Sequence, residues 1–138
     1  VKSKLMQKLL EPHPDDNEGY YRLLHLKETI VMQDRVIIIT DFLGISLYEY
    51  QKLKYQQNHK NVYSRIQVKL IAKQLFQALK FMKNKGVIHC DIKPENILFT
   101  DDKFRNVKLI DFGSSCENYK IGFSYVQSRM YRAPEIVF

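Results

Sequence analysis

The stretch His89-Cys90-Asp91-Ile92-Lys93-Pro94-Glu95-Asn96 decides how the rest of this sequence is read. It sets an acid, an amine and a carboxamide within six residues. Upstream, Ser64–Lys85 has helical periodicity: Val68, Leu70, Ile71, Leu75, Ala78, Leu79, Phe81 and Met82 fall on one half of the wheel. Arg65, Lys69, Lys73, Lys80 and Lys83 fall opposite, and Gly86 stands where a left-handed stop is expected. Downstream, Ile97–Phe99 and Val107–Ile110 read as short strands joined by the turn Asp101-Asp102-Lys103. Asp111-Phe112-Gly113 follows fifteen residues after Asn96, and Ala133-Pro134-Glu135 closes the series.

Toward the N-terminus, Lys2–Glu11 has helical spacing and Pro12–Gly19 is a loop by composition. Tyr20–Ile30 and Val36–Thr40 are strand-like, with a tight turn at Gln33-Asp34-Arg35, and Leu47–Tyr55 suits a short helix. The apolar run Val36–Ile39 suits a buried strand.

The chain has 138 residues, 45% of them hydrophobic, enough to exclude a disordered chain and to predict one domain. No apolar run approaches the roughly 18 residues of a membrane span, and no secretory signal is read at the start. Cys90 and Cys116 are too few for a disulfide framework and lack metal spacing, so a reducing, intracellular setting in cytoplasm or nucleus is expected. The net charge of +7 is local: Tyr50 to Cys90 holds nine Lys and Arg and no acid. A solvated helix face accounts for that stripe, and without base-reading motifs no nucleic-acid partner is expected.

In this order and spacing, the three motifs resemble the catalytic loop, the metal-binding loop and the end of the activation segment of a eukaryotic protein kinase. Cys90 in the position before Asp91, the run Asp111-Phe112-Gly113-Ser114-Ser115-Cys116 and the stretch Ser124–Glu135 are similar to the dual-specificity tyrosine-regulated (DYRK) family of the CMGC group. The resemblance implies an α+β, bilobal kinase-like fold, present in part: residues 1–40 from the small lobe, 41–44 the hinge, 45–138 from the large lobe. It implies ATP and Mg²⁺ as cofactors and protein hydroxyls as substrates. Lys93-Pro94-Glu95-Asn96 points to serine and threonine acceptors.

On this resemblance Asp91 would accept or orient the proton of the substrate hydroxyl, and Lys93 would stabilise the transferred phosphoryl group. Asn96 and Asp111 would bind Mg²⁺ through hard oxygen donors, and Gly113 would permit the turn that sends Phe112 inward. Thr40 would stand at the back of the adenine pocket, the backbones of Asp41 and Leu43 would hydrogen-bond adenine, and Leu98 would form its floor. Tyr125 matches an autophosphorylated tyrosine, with Arg129 and Arg132 as phosphate partners; Phe123 replaces the family's first tyrosine. Arg132 would also shape the pocket beyond the phosphoacceptor. Cys90 replaces an arginine that couples activation-segment phosphate to the catalytic loop. Cys90 and Cys116 are close enough in this layout to approach each other, as inert thiols or as a redox pair.

The five glycines form no Gly-rich phosphate loop, and no Val-Ala-Ile-Lys lysine or partner glutamate is found. The chain therefore reads as part of a longer kinase, inactive alone, the alternative being a truncated or pseudokinase-like regulator that binds partners without phosphoryl transfer.

Overall fold

The computed structural model describes residues 5, 8, 9, 11, 13–58, 61–117 and 126–137. Its principal helix, α3 (Arg65–Asn84; α1 and α2 are given below), has the start and stop read from its sequence. The Ser64 hydroxyl accepts the Gln67 amide, and the Gln67 side chain reaches back to the Ser64 amide, a reciprocal cap worth about 1 kcal/mol. Gly86 takes φ +67°, the left-handed stop. Helix α2 (Leu47–Gln56) repeats the device with Ser46 and Glu49.

Before these, α1 (Asn17–Tyr20) is a single turn capped by Asp16, whose carboxylate accepts the Gly19 amide at 3.0 Å. That cap corrects two readings. Asn17 to Gly19 are helical rather than loop, and the strand read from Tyr20 begins at Leu26, because residues 20–23 continue the turn with Leu23 N–H on Tyr20 C=O. Strands β1 (Leu26–Val31) and β2 (Val36–Thr40) form an antiparallel hairpin with a bulge between Leu26 and Glu28. The Met32 amide donates to the Arg35 carbonyl at 2.9 Å and closes the turn. Of the helix read over Lys2–Glu11, Leu5, Lys8 and Leu9 are described and are helical, Glu11 is described and lies in a bend, and the rest lies outside the described residues.

After α3 come β3 (Val87–Ile88), β4 (Ile97–Phe99), β5 (Val107–Leu109), β6 (Cys116–Glu117) and the short helix α4 (Pro134–Val137). Strands β4 and β5 pair antiparallel, Ile97 with Leu109, Leu98 with Lys108 and Phe99 with Val107. Asp101 organises their turn by accepting the amides of Lys103, Arg105 and Asn106. Strands β3 and β6 pair Ile88 with Cys116, a match of two residues each, too short for any sequence pattern to announce.

The core lies where α3 packs on β5 of the β4–β5 pair: Ile71, Ala78, Phe81 and Met82 of the helix share one buried cluster with Ile97, Phe99, Val107 and Leu109. Burying each large side chain among these contributes about 1.5–3 kcal/mol. One polar residue joins them. Gln74 donates to the Arg105 carbonyl at 2.8 Å and to the Leu70 carbonyl at 3.0 Å, and accepts the Val107 amide at 3.0 Å.

The wheel reading of α3 needs correction, since Val68 and Leu70 are exposed. Periodicity identifies the residues that share a face, and only part of that face meets the rest of the core. The run Val36–Ile39 is likewise exposed, not buried: among the described residues β2 has β1 beside it and nothing over its faces. All five cations of the α3 stripe face solvent. No helix among the described residues is long and apolar enough to cross a membrane.

Gln74→Leu keeps the volume but orphans the Val107 amide and the Arg105 carbonyl. The expected cost is about 1–3 kcal/mol per orphaned group, read as a lower denaturant midpoint at unchanged m-value. A midpoint equal to the parent's would show that Gln74 does not pin the strand.

Candidate active site

The loop between β3 and β4 is held by a histidine. His89 is almost wholly buried; its Nε2 lies 2.9 Å from the Ile110 carbonyl and its Nδ1 3.2 Å from the Asp91 amide. A carbonyl on one side and an N–H on the other assign one tautomer: Nε2–H donates, Nδ1 accepts, and the ring is neutral. Burial pushes the His89 pKa below its ordinary value, ahead of the opposing pull of the Ile110 carbonyl, Asp111 and Asp91. Phe112 meets the ring edge-on at 5.3 Å and is buried, so the side chain read as turning inward does so.

Around that pin the candidate catalytic side chains converge. Asp91 Oδ1 accepts the Ser128 hydroxyl at 2.7 Å and the Ser128 amide at 3.2 Å. Its Oδ2 lies 2.7 Å from Lys93 Nζ and 3.3 Å from Asn96 Nδ2. Asn96 is buried and also donates to the Asp91 carbonyl at 2.8 Å, and Lys93 donates to the Ser128 hydroxyl at 3.0 Å. Burial pushes the Asp91 carboxyl up, but the Lys93 and Ser128 hydrogen bonds and the Lys93 charge outweigh it and hold it below the ordinary range. The same bond raises Lys93. Both shifts keep the pair ionised.

Asp111 reaches the same region through the backbone, because the Ile110 amide donates to the Asn96 carbonyl at 2.9 Å. The left-handed residue of this turn is Asp111, at φ +59° and ψ +75°. Gly113 is needed there for space: a Cβ would stand 2.9 Å from Asp111 Oδ1, which accepts the Gly113 amide at 3.1 Å. That bond leaves Oδ2 of an exposed carboxylate open. A carboxylate oxygen such as this, and a carboxamide oxygen such as that of the Asn96 side chain, are hard donors of the kind Mg²⁺ takes while keeping waters. No group of three or more His, Cys, Asp or Glu side chains gathers for a metal among the described residues.

Cys90 (φ +65°) and Gln127 (φ +69°) are two further non-glycine residues in left-handed conformation, and they are bonded to each other, the Gln127 amide donating to the Cys90 carbonyl at 3.1 Å. Such conformations cost about 1–3 kcal/mol each and persist where neighbours over-determine them. Here Arg132 donates to the carbonyls of Val126 and Gln127, and the Gln127 side chain accepts the Ala133 amide. The Cys90 and Cys116 sulfurs approach to 3.4 Å as free thiols. Burial pushes Cys90 up to about 11, a protonated and unreactive thiol at neutral pH. Arg129 is exposed; Tyr125 and Phe123 lie outside the described residues.

The proposed adenine side is a bare length of backbone between two pins. The Asp41 amide donates to the His25 carbonyl at 3.2 Å, and the Gly44 amide to the Phe99 carbonyl at 2.8 Å. Between them, among the described residues, neither the N–H nor the C=O of Leu43 has a partner. Thr40 ends β2 with its hydroxyl on the Asp41 carbonyl at 3.2 Å, and Leu98 is half-buried opposite Lys108. The functional neighbour that sequence reading missed is Ser128. It lies inside the quoted Ser124–Glu135 stretch, but its contact with Asp91 spans 37 residues and no spacing rule conveys it.

Because the fold favours neutral His89, the unfolded chain binds a proton there more readily. The stabilisation is complete above the ordinary histidine value near 6.5 and is lost as pH falls below it toward the lowered folded value. Melting temperatures between about pH 7.5 and 5.5 are expected to fall for the parent and to fall less for His89→Gln. Equal slopes for the two would refute a neutral, buried His89.

Residues 17–138 match the family model of the protein kinase domain. The chain is 38% identical over 137 residues to the DYRK-family kinase pom1 of Schizosaccharomyces pombe, covering 99% of this chain and 12% of that protein. It is 38% identical over 125 residues to the human dual specificity tyrosine-phosphorylation-regulated kinase 3, covering 88% of this chain and 20% of that one. To a probable serine/threonine-protein kinase, dyrk2, of Dictyostelium discoideum it is 38% identical over 124 residues, covering 89% and 13%. The chain thus spans about an eighth to a fifth of the length of these relatives. With the matched model extending over most of its length, and with kinases of one group aligned along it, the chain belongs to the protein kinase domain family and within it is DYRK-like.

Proposed function

We propose that the protein carrying this chain transfers the γ-phosphoryl group of ATP to serine and threonine hydroxyls of other proteins, with Asp91 and Lys93 at the reacting atoms. The observation that supports this most is the Ser128 hydroxyl, 2.7 Å from Asp91 Oδ1 and 3.0 Å from Lys93 Nζ. A serine-type oxygen is already seated between a carboxylate that can take its proton and an ammonium that can meet developing negative charge. A substrate hydroxyl needs the same two neighbours. Because Asp91 is held below the ordinary carboxylate range, its first task is to orient the hydroxyl, and the proton passes to it only as the oxygen acquires its new bond.

When bound, ATP with Mg²⁺ supplies the phosphoryl group and the divalent charge that neutralises it. Asn96 and Asp111 would hold the cation through their oxygens, and the Leu43 peptide, unpaired among the described residues, would meet the adenine edge together with the Asp41 carbonyl. Thr40 would back that pocket and Leu98 would floor it. In this reading residues 1–40 and 45–138 contribute to two lobes and 41–44 to the hinge between them.

The same proposal extends to regulation. Phosphorylation of Tyr125 by the protein itself would add nearly two negative charges four residues before Arg129 in the sequence, and Arg129 is exposed. Arg132 would contribute by holding the Val126 and Gln127 carbonyls rather than by leaving its guanidinium open. The name of the human relative, tyrosine-phosphorylation-regulated, is consistent with that extension.

In the complete protein, Asp111→Asn is expected to abolish metal-dependent transfer of radiolabelled phosphate from ATP to a protein substrate, with the melting temperature within a few degrees of the parent's. Transfer retained at the parent rate would remove Asp111 from the metal site.

A further inference from the structure

The first hinge residue carries more than a backbone role. Asp41 Oδ2 lies 2.5 Å from Lys108 Nζ, and its carboxylate stands 3.7 Å from His25 Nδ1 and 3.8 Å from Lys27 Nζ. Lys108 lies in the middle of β5, facing Leu98 across the β4–β5 pair and three residues before Asp111. His25 Nε2 donates to the Tyr20 carbonyl at 2.9 Å, and its Nδ1 faces Lys108 and Asp41. The Lys108 ammonium donates to the Asp41 carboxylate and lies 3.4 Å from His25 Nδ1. Lys27 is far more exposed, and a surface cation at that distance adds little. Lys108, with 15% of its side chain exposed, is the member that binds the cluster together.

The surrounding backbone gives this cluster a fixed frame. The Leu24 amide donates to the Leu109 carbonyl at 2.9 Å and the Leu109 amide to the Arg22 carbonyl at 2.8 Å, so residues 22–24 run beside β5. The Tyr20 ring stacks on His25 at 4.2 Å. Segment 20–25 and β5 thus form one rigid wall, and Lys108 fastens the hinge to it through Asp41.

We propose that Lys108 is a positioning residue for nucleotide binding: by gripping Asp41 against His25 it fixes the peptide planes at 41–43 that face adenine, and it ties the hinge to the strand that delivers Asp111. This rests on the assignment of 41–43 to nucleotide binding. The group is a half-buried cation acting on a backbone through a carboxylate, so its loss affects nucleotide affinity rather than the chemical step. A fold-stabilising lysine with no positioning role would instead change stability with KM and kcat preserved.

The test uses the complete protein and two readouts. Steady-state kinetics of Lys108→Met should show the KM for ATP raised about tenfold with kcat within about twofold, and Lys108→Arg should recover most of the loss. Asp41→Asn, an isosteric change, should give a similar rise, and the double variant should be no worse than Lys108→Met alone, since the two act through one contact. Hydrogen exchange without nucleotide should show the amides of 41–44 exchanging about tenfold faster in Lys108→Met while those of α3 are unchanged. An unaltered KM, additive effects of the two substitutions, or unaltered hinge exchange overturns the proposal. If the parent transfers no phosphate, the proposed function fails, and hinge exchange alone decides whether Lys108 positions the hinge.

Discussion

A carboxylate withdrawn from water has to be hydrogen-bonded through both oxygens or give up its charge, and Asp91 satisfies the first condition. Its side chain is 14% exposed, and Lys93, Asn96 and Ser128 bring four donors to it. Three of those donors come from the far side of a constraint. Asn96 is placed by the turn Pro94–Asn96 that begins β4, and Ser128 arrives from a segment 37 residues away, held by Arg132 and Gln127. The charge on one aspartate therefore fixes how two distant pieces of chain lie against each other, and removing either neighbour leaves it under-paired.

His89 does complementary work below the loop. Its two ring nitrogens join the Ile110 carbonyl to the Asp91 amide, so the strand leading to Asp111 and the residue bearing the carboxylate share one rigid group. Left-handed backbone at Cys90, Asp111 and Gln127 is concentrated around this group. At about 1–3 kcal/mol each, these conformations are a drain on stability that an ordinary loop would not carry. Bonds between Cys90 and Gln127, from Arg132 and Ala133 to Gln127, and from the Gly113 amide to Asp111 offset it, and the result is a set of polar atoms placed to within hydrogen-bond tolerance.

Much of this was legible in sequence where chemistry demands given residue types at short fixed spacing. Asp91, Lys93 and Asn96 lie within six residues, so their convergence follows from one turn, and the caps at Ser64 and Ser46 follow from local backbone needs. Periodicity located α3 within a residue at each end, and a continuous β-branched run located β2 at the bounds observed. What could not be read depends on partners remote in the chain. Nothing in Val68 or Val36 says whether another element will cover it. Lys108 and Asp41 are 67 residues apart, and their pairing is set by where segment 20–25 lies against β5. The left-handed backbone at Asp111 could not be read either, since it goes with a side-chain bond, the Asp111 carboxylate accepting the Gly113 amide, that propensity does not convey.

The most direct test is Asp91→Asn in the complete protein, followed by single-turnover transfer of phosphate from ATP to a protein hydroxyl. The asparagine keeps the shape and can still accept from Ser128, but it cannot take a proton or pair with Lys93. Transfer should fall by about 10²–10⁴-fold with ATP affinity preserved, the signature of a group used at the reacting oxygen. Transfer within about tenfold of the parent would mean that Asp91 is a structural anchor for Ser128 and that the chemistry is carried elsewhere.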